Sequence, residues 1–187
     1  MRIVVTGGAG FIGSSFVNLL GEKGYEVLVV DNLTYAGDLE NICSVNYRVL
    51  IKDICDVTAD DLGEYDYLIN FAAESHVDNS IEDGRPFVRT NIEGTFNLLE
   101  LARKNKNLKK FIQISTDEVY GDLKDLKMRY AQEQSPLRPS SYYSSTKAAA
   151  DMLVQACART YNLPYLITRT CNNFGSNQHK EKFIPVI

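Results

Sequence analysis

The chain has 187 residues, of which 44% are apolar and 24% charged, and a formal net charge of −4. That length fits about one domain with a full core, and the composition excludes a disordered chain and any general attraction for nucleic acid or an anionic membrane. The four cysteines, Cys43, Cys55, Cys157 and Cys171, show no Cys-x-x-Cys spacing, so no metal site is expected and reduced thiols are. The chain opens at once on an apolar strand, which predicts no signal peptide, and no apolar run approaches the roughly 20 residues that span a bilayer. A soluble, cytoplasmic protein is the expectation.

In chain order, Arg2 to Thr6 reads as a buried strand, followed by a glycine loop and a helix from Phe11 to Gly21 that Gly24 stops. Glu26 to Val30 is the next strand, ending in Asp31. Tyr47 to Ile51 is a third and Tyr67 to Phe71 a fourth. Phe87 to Asn105 reads as one long helix. Lys110 to Ser115 is a fifth strand, Tyr142 to Tyr161 a second long helix, and Tyr165 to Arg169 a sixth strand. Strands that are apolar throughout need cover on both faces, and intervening helices supply it. The pattern predicts an α/β, doubly wound parallel sheet with right-handed crossovers. The long stretch from Gly121 to Ser141, with Pro136 and Pro139, reads as a functional loop.

Two places carry chemistry. Gly7, Gly10 and Gly13 form Gly-x-x-Gly-x-x-Gly between a strand and a helix. There they permit a tight turn and close backbone approach to a pyrophosphate, with the helix N–H groups aimed at it. Asp31, at the end of the second strand, is placed to accept from ribose hydroxyls, and a 2′-phosphate would meet like charge, which favours NAD over NADP. Asp53 suits either an adenine amino group or a solvated loop. Farther on, Tyr143 and Lys147 share a helix face as Tyr-x-x-x-Lys. An ammonium beside a phenol should lower its pKa from about 10 and make it a base. Asp117 and Glu118 follow the fifth strand, where chemistry collects in open parallel sheets, and two carboxyl groups in different environments can divide acid and base roles.

Thr6 to Gly13 together with Tyr143 and Lys147 resembles the extended short-chain dehydrogenase/reductase superfamily. Within it, Ser115-Thr116-Asp117-Glu118-Val119-Tyr120-Gly121 is similar to the dTDP-glucose 4,6-dehydratases, as are Leu33 to Gly37, Ala72 to Asp78, Thr90-Asn91, Asn172-Asn173 and Glu181 to Pro185. The resemblance implies a Rossmann fold at 1–170, with 171–187 the start of a substrate region whose larger part is missing. It implies NAD as cofactor, a sugar nucleotide as substrate, and a homodimer through a four-helix contact of the two long helices. Cofactor contacts carry over to Gly7, Gly10, Phe11, Ile12, Gly13, Asp31, Asn32, Thr34, Asp53, Ile54, Ala72, Ala73, Ser75, Thr90, Tyr143, Lys147 and Asn173. Substrate contacts carry over to Ser75, Thr116, Asn172, Glu181 and Lys182.

The implied roles are specific. Tyr143 takes the 4-hydroxyl proton, Lys147 lowers its pKa and holds the nicotinamide ribose, Glu118 removes the C5 proton, Asp117 protonates the departing 6-hydroxyl, and Thr116 bonds near the 4-oxygen. The chain departs from the family pattern at Asn79, Tyr142, Ser145-Thr146 and His179-Lys180. dTDP-glucose and UDP-glucose stay open as substrates. An inactive NAD-binding fragment or split subunit is the competing reading. A sugar 4-epimerase or decarboxylase is the third, against which the Asp117-Glu118 pair speaks.

Overall fold

The computed structural model describes residues 1–43, 46–122 and 130–178. Six parallel strands form one sheet: β1 (Arg2–Thr6), β2 (Glu26–Asp31), β3 (Tyr47–Ile51), β4 (Tyr67–Asn70), β5 (Lys110–Thr116) and β6 (Tyr165–Thr170). Their order is β3-β2-β1-β4-β5-β6. The order reverses between β1 and β4, which splays the connections apart and opens a crevice at the carboxyl ends of those two strands.

Strand residues alternate between two apolar layers. Ile3, Val5, Val27, Val29 and Ile69 face one way and pack on Val17 and Leu20 of α1 (Phe11–Glu22). Val4, Leu28, Val30, Leu68 and Phe111 face the other way, against Leu98, Leu99 and Ala102 of α5 (Thr95–Ala102) and Val154 of α6 (Tyr142–Tyr161). Each such side chain, fully buried, contributes about 1.5–3 kcal/mol of transfer free energy. Shorter helical pieces are α2 (Ala59–Leu62) and α3 (Val77–Glu82), neither expected from the periodicity, and α4 (Arg85–Phe87).

The predicted cover on both faces is only partly realised. Right-handed crossovers put the β1→β2 helix on one face and the β4→β5 and β5→β6 helices on the other once the order reverses. No crossover among the described residues therefore lies over β5 and β6 on the α1 side. An apolar hollow of about 490 Å³ stands there, lined by Phe16, Leu19, Ile112 and Ile114, and Leu166 is 47% exposed.

The helix predicted over Phe87–Asn105 is present, with helical backbone unbroken from Arg85 to Ala102. A π-helical turn, Val88–Gly94, joins α4 to α5. The helix predicted over Tyr142–Tyr161 is confirmed at both ends. Ser141 Oγ accepts from the Ser144 N–H at 3.1 Å, Ser144 Oγ accepts from the Ser141 N–H at 3.0 Å, and Asn162 leaves the helix in the left-handed conformation, φ 54°. All four cysteines are free. Among the described residues, no helix is long and apolar enough to cross a membrane.

Candidate active site

A cavity of about 620 Å³ follows the carboxyl ends of the strands from β3 to β6. At one end Gly7, Gly10, Phe11, Ile12 and Gly13 form its floor. Gly7 has φ +66°, and an added Cβ there would lie 2.5 Å from the Ala72 nitrogen; at Gly13 it would lie 2.1 Å from Gly7 O. The fold itself requires both glycines. Gly10 differs: its φ is −76° and an added Cβ would meet only Gly7 O, at 3.4 Å. Nothing inside the protein demands glycine at position 10, so its bare face points to close approach by a ligand. No side chain caps the N-terminus of α1, and its first turn carries no acid. Its N–H groups and the positive end of the helix suit an anion.

Asp31, Asn32 and Thr34 form the wall beyond β2, and Asp53 and Ile54 the wall beyond β3. Asp31 is 8% exposed; its Oδ2 accepts from the Ala9 N–H and its Oδ1 from the Leu33 N–H, both at 2.9 Å. The carboxylate thus ties the glycine loop to the β2 loop and keeps further lone pairs toward the cavity. Burial alone would raise the Asp53 carboxyl, but the Cys55 hydrogen bonds and the Arg89 guanidinium hold it below the ordinary value.

Ala72, Ala73, Ser75 and Thr90 line the middle. Asn91, in the π-helical turn and 1% exposed, holds this wall in place. Its Oδ1 accepts from the Glu74 N–H at 2.9 Å, and its Nδ2 donates to Glu74 O at 3.1 Å and to Thr146 Oγ1 at 3.0 Å. One amide therefore links the β4 loop to the helix bearing Tyr143 and Lys147. The sequence reading noted Asn91 only beside Thr90. Beneath, Thr6 Oγ1 donates to Asn70 Oδ1 at 2.6 Å and Asn70 Nδ2 to Gln113 Oε1 at 3.0 Å. This buried chain pins the ends of β1 and β4 to the middle of β5.

At the far end Thr116, Glu118, Tyr143 and Lys147 line the same cavity, as do Asn172 and Asn173 after β6. Thr116 Oγ1 accepts from the Glu118 N–H at 3.2 Å and caps a 3₁₀ turn, Asp117–Tyr120. Val119 and Tyr120 fill a small core with Ala148, which accounts for the apolar residues after Glu118. The turn sends the two carboxylates apart. Glu118 faces the cavity, whereas Asp117 is exposed and not part of its wall. Lys52, Glu74 and Cys171 also line the cavity and were not anticipated, since single polar residues in loops carry no spacing signal. Glu181 and Lys182 lie outside the described residues.

One expectation is reversed. The Tyr143 phenol is raised, not lowered: burial and the Glu118 carboxylate push it to about 12, Asp117 adds to this, and a hydrogen bond with Thr116 acts the other way. Lys147 Nζ donates instead to the Ile114 carbonyl at 2.6 Å. Burial brings its ammonium down to about 8, against the pull of Asp151.

Residues 3–187 match the NAD dependent epimerase/dehydratase family. The chain belongs to that family. The low-salt glycan biosynthesis protein Agl12 of Haloferax volcanii is 50% identical to it, covering 99% of this chain and 61% of its own length. A probable dTDP-glucose 4,6-dehydratase of Sinorhizobium fredii is 48% identical, covering 100% and 57%. Among solved structures, the DesIV dTDP-glucose 4,6-dehydratase of Streptomyces venezuelae, with NAD and TYD bound, superposes with a TM-score of 0.91 at 43% identity, covering 100% of this chain and 60% of that one. The chain thus spans about three fifths of the length of these relatives.

Proposed function

We propose that residues 1–170 are the NAD-binding domain of a nucleotide-sugar 4,6-dehydratase, that 171–187 begin its substrate region, and that the reaction converts dTDP-glucose to dTDP-4-keto-6-deoxyglucose. The observation that carries this is the meeting of Thr116, Glu118, Tyr143 and Lys147 in the cavity floored by the glycine loop. The dehydratase names of the relatives support it.

The residues fit the dinucleotide. The uncapped start of α1 and the bare face of Gly10 suit the pyrophosphate, Asp31 suits the adenine ribose, and Asp53 suits the adenine amino group. When bound, NAD supplies a hydride acceptor that later becomes the donor, and a positively charged ring. Tyr143 takes the proton from the sugar 4-hydroxyl; burial and Glu118 hold the phenol neutral, and the Thr116 hydrogen bond acts against them. Glu118 removes the C5 proton, which the C4 ketone has made acidic. Asp117, exposed at the rim, protonates the 6-hydroxyl as it leaves as water. Thr116 orients both the phenol and the turn bearing the acids.

The test is incubation with NAD and either dTDP-glucose or UDP-glucose, reading the alkali-induced absorbance of a 4-keto sugar. Product from dTDP-glucose is expected. Product from UDP-glucose alone would reassign the substrate, and tight NAD binding with product from neither would reject catalysis by this chain.

A cytoplasmic location is part of the proposal, supported by the four free thiols. So is a homodimer through the helical segments 87–105 and 142–161. Val88, Phe96 and Met152 on these segments are 46%, 54% and 56% exposed and offer apolar surface to a second copy. Sedimentation should give a dimer, and Phe96→Glu a monomer.

A further inference from the structure

Behind the cavity, and outside its lining, lies a charged group that the proposed reaction does not use. Arg169, on β6 beside Ser115 of β5, is 14% exposed in its side chain, and its partner Asp151 on α6 is fully buried at 0%. Arg169 Nε donates to Asp151 Oδ2 at 2.9 Å, and its Nη1 donates to the Tyr120 hydroxyl at 2.8 Å and to the Glu133 carbonyl at 3.2 Å. The guanidinium carbon also stands 5.1 Å from the centre of the Tyr120 ring.

The three partners belong to three separate pieces of the site. Asp151 is one helical turn beyond Lys147, Tyr120 is two residues beyond Glu118, and Glu133 belongs to the segment that folds over the 3₁₀ turn. That segment is bound to the turn elsewhere, by the Arg138 N–H donating to Val119 O at 3.0 Å. Stability is a poor reason for this arrangement. A buried ion pair often contributes no more than apolar residues of the same volume, because both charges lose water. What the guanidinium supplies is direction: a rigid fork bonding along several lines at once, which a lysine cannot reproduce.

We propose that Arg169 is a positioning residue, whose contacts with Asp151, Tyr120 and Glu133 hold the turn carrying Asp117 and Glu118 in a fixed relation to the helix carrying Tyr143 and Lys147. The proposal rests on the reading of those four side chains as the reacting groups. The dehydration needs the C5 base to act on the ketone that the Tyr143 side has just produced, so the two halves must keep one geometry, and small misplacements are costly. The cofactor floor, at the other end of the cavity, does not depend on this pair.

The test uses two variants, Arg169→Lys and the milder Tyr120→Phe, which keeps the ring and removes one bond. Backbone amide exchange is read with and without NAD. In both variants, exchange at residues 117–121 should rise about tenfold or more while α1 keeps its wild-type rates. NAD affinity should stay within about twofold. With dTDP-glucose, reduced nicotinamide should build up in both variants, because C5 deprotonation lags behind oxidation, whereas a merely structural defect would lower both steps together. Unchanged exchange at 117–121, or an equal rise over the whole fold, would overturn the proposal. If the wild-type chain itself forms neither reduced nicotinamide nor product, catalysis by this chain is rejected, and the exchange pattern still decides whether Arg169 holds the turn.

Discussion

Lys147 reaches away from its own helix to β5, where its Nζ donates to the Ile114 carbonyl oxygen at 2.6 Å. That bond, in a site where the lysine is 4% exposed, couples folding to pH. Burial lowers the folded-state ammonium from 10.5 to about 8. Between those values the unfolded chain binds a proton that the folded chain lacks, so stability rises with pH across this window. The cost of the buried charge is full below about pH 8 and is relieved above it. Against Lys147→Met, the wild type should gain about 2 kcal/mol between about pH 7.5 and 9.5 in urea unfolding. A pH-independent difference would show that the ammonium is not buried as described.

Two glycines of the loop should separate fold from binding. Gly13→Ala places a Cβ 2.1 Å from Gly7 O and should cost ~3 kcal/mol or more. Gly10→Ala keeps its backbone angles and should cost about 1 kcal/mol or less, chiefly as a poorer N-cap. Its NAD affinity, by calorimetry, should nevertheless fall about tenfold. Equal effects of Gly10→Ala on stability and on binding would remove the argument for ligand approach at that position.

Asp31→Ala should act twice. The Ala9 and Leu33 N–H groups lose their acceptor, at a cost of about 1–3 kcal/mol. The like charge facing a 2′-phosphate also disappears. The ratio of NADP to NAD dissociation constants should fall about tenfold, and an unchanged ratio would mean that discrimination resides elsewhere.

Asn91→Ala should destabilise by about 2–4 kcal/mol, since the Glu74 N–H and carbonyl lose their bonds to Asn91 and Thr146 loses a donor. NAD binding should weaken with it, because the Glu74–Ser75 wall is no longer held. Denaturant midpoints and calorimetry on one preparation check both. Full stability in Asn91→Ala would show that the π-helical turn is held by other contacts.

How much was legible differs by element. The bounds of α6 could be read because their causes are local: Ser141 and Ser144 cap one end, and Asn162 with Pro164 closes the other. The long helix expected over Phe87–Asn105 is there, but the π-helical turn inside it was not legible, because that turn answers to distant partners. Asn91 bonds Glu74, 17 residues away, and Thr146, 55 residues away. Periodicity inside a window cannot register either contact.

The sequence by itself determined the parallel sheet, the glycine loop and the strand ends at which the cavity opens. Those follow from unbroken apolar strands, from steric limits at Gly7 and Gly13, and from the placement of loops at strand ends. Only the tertiary structure decided what those residues experience. A phenol beside a lysine in sequence becomes a phenol buried next to Glu118, so its proton is held rather than loosened. Two neighbouring acids are divided between cavity and solvent by one 3₁₀ turn, and Lys147 is claimed by a carbonyl of β5. Proton affinity depends on burial and on the charges within a few ångströms, and distance along the chain fixes neither.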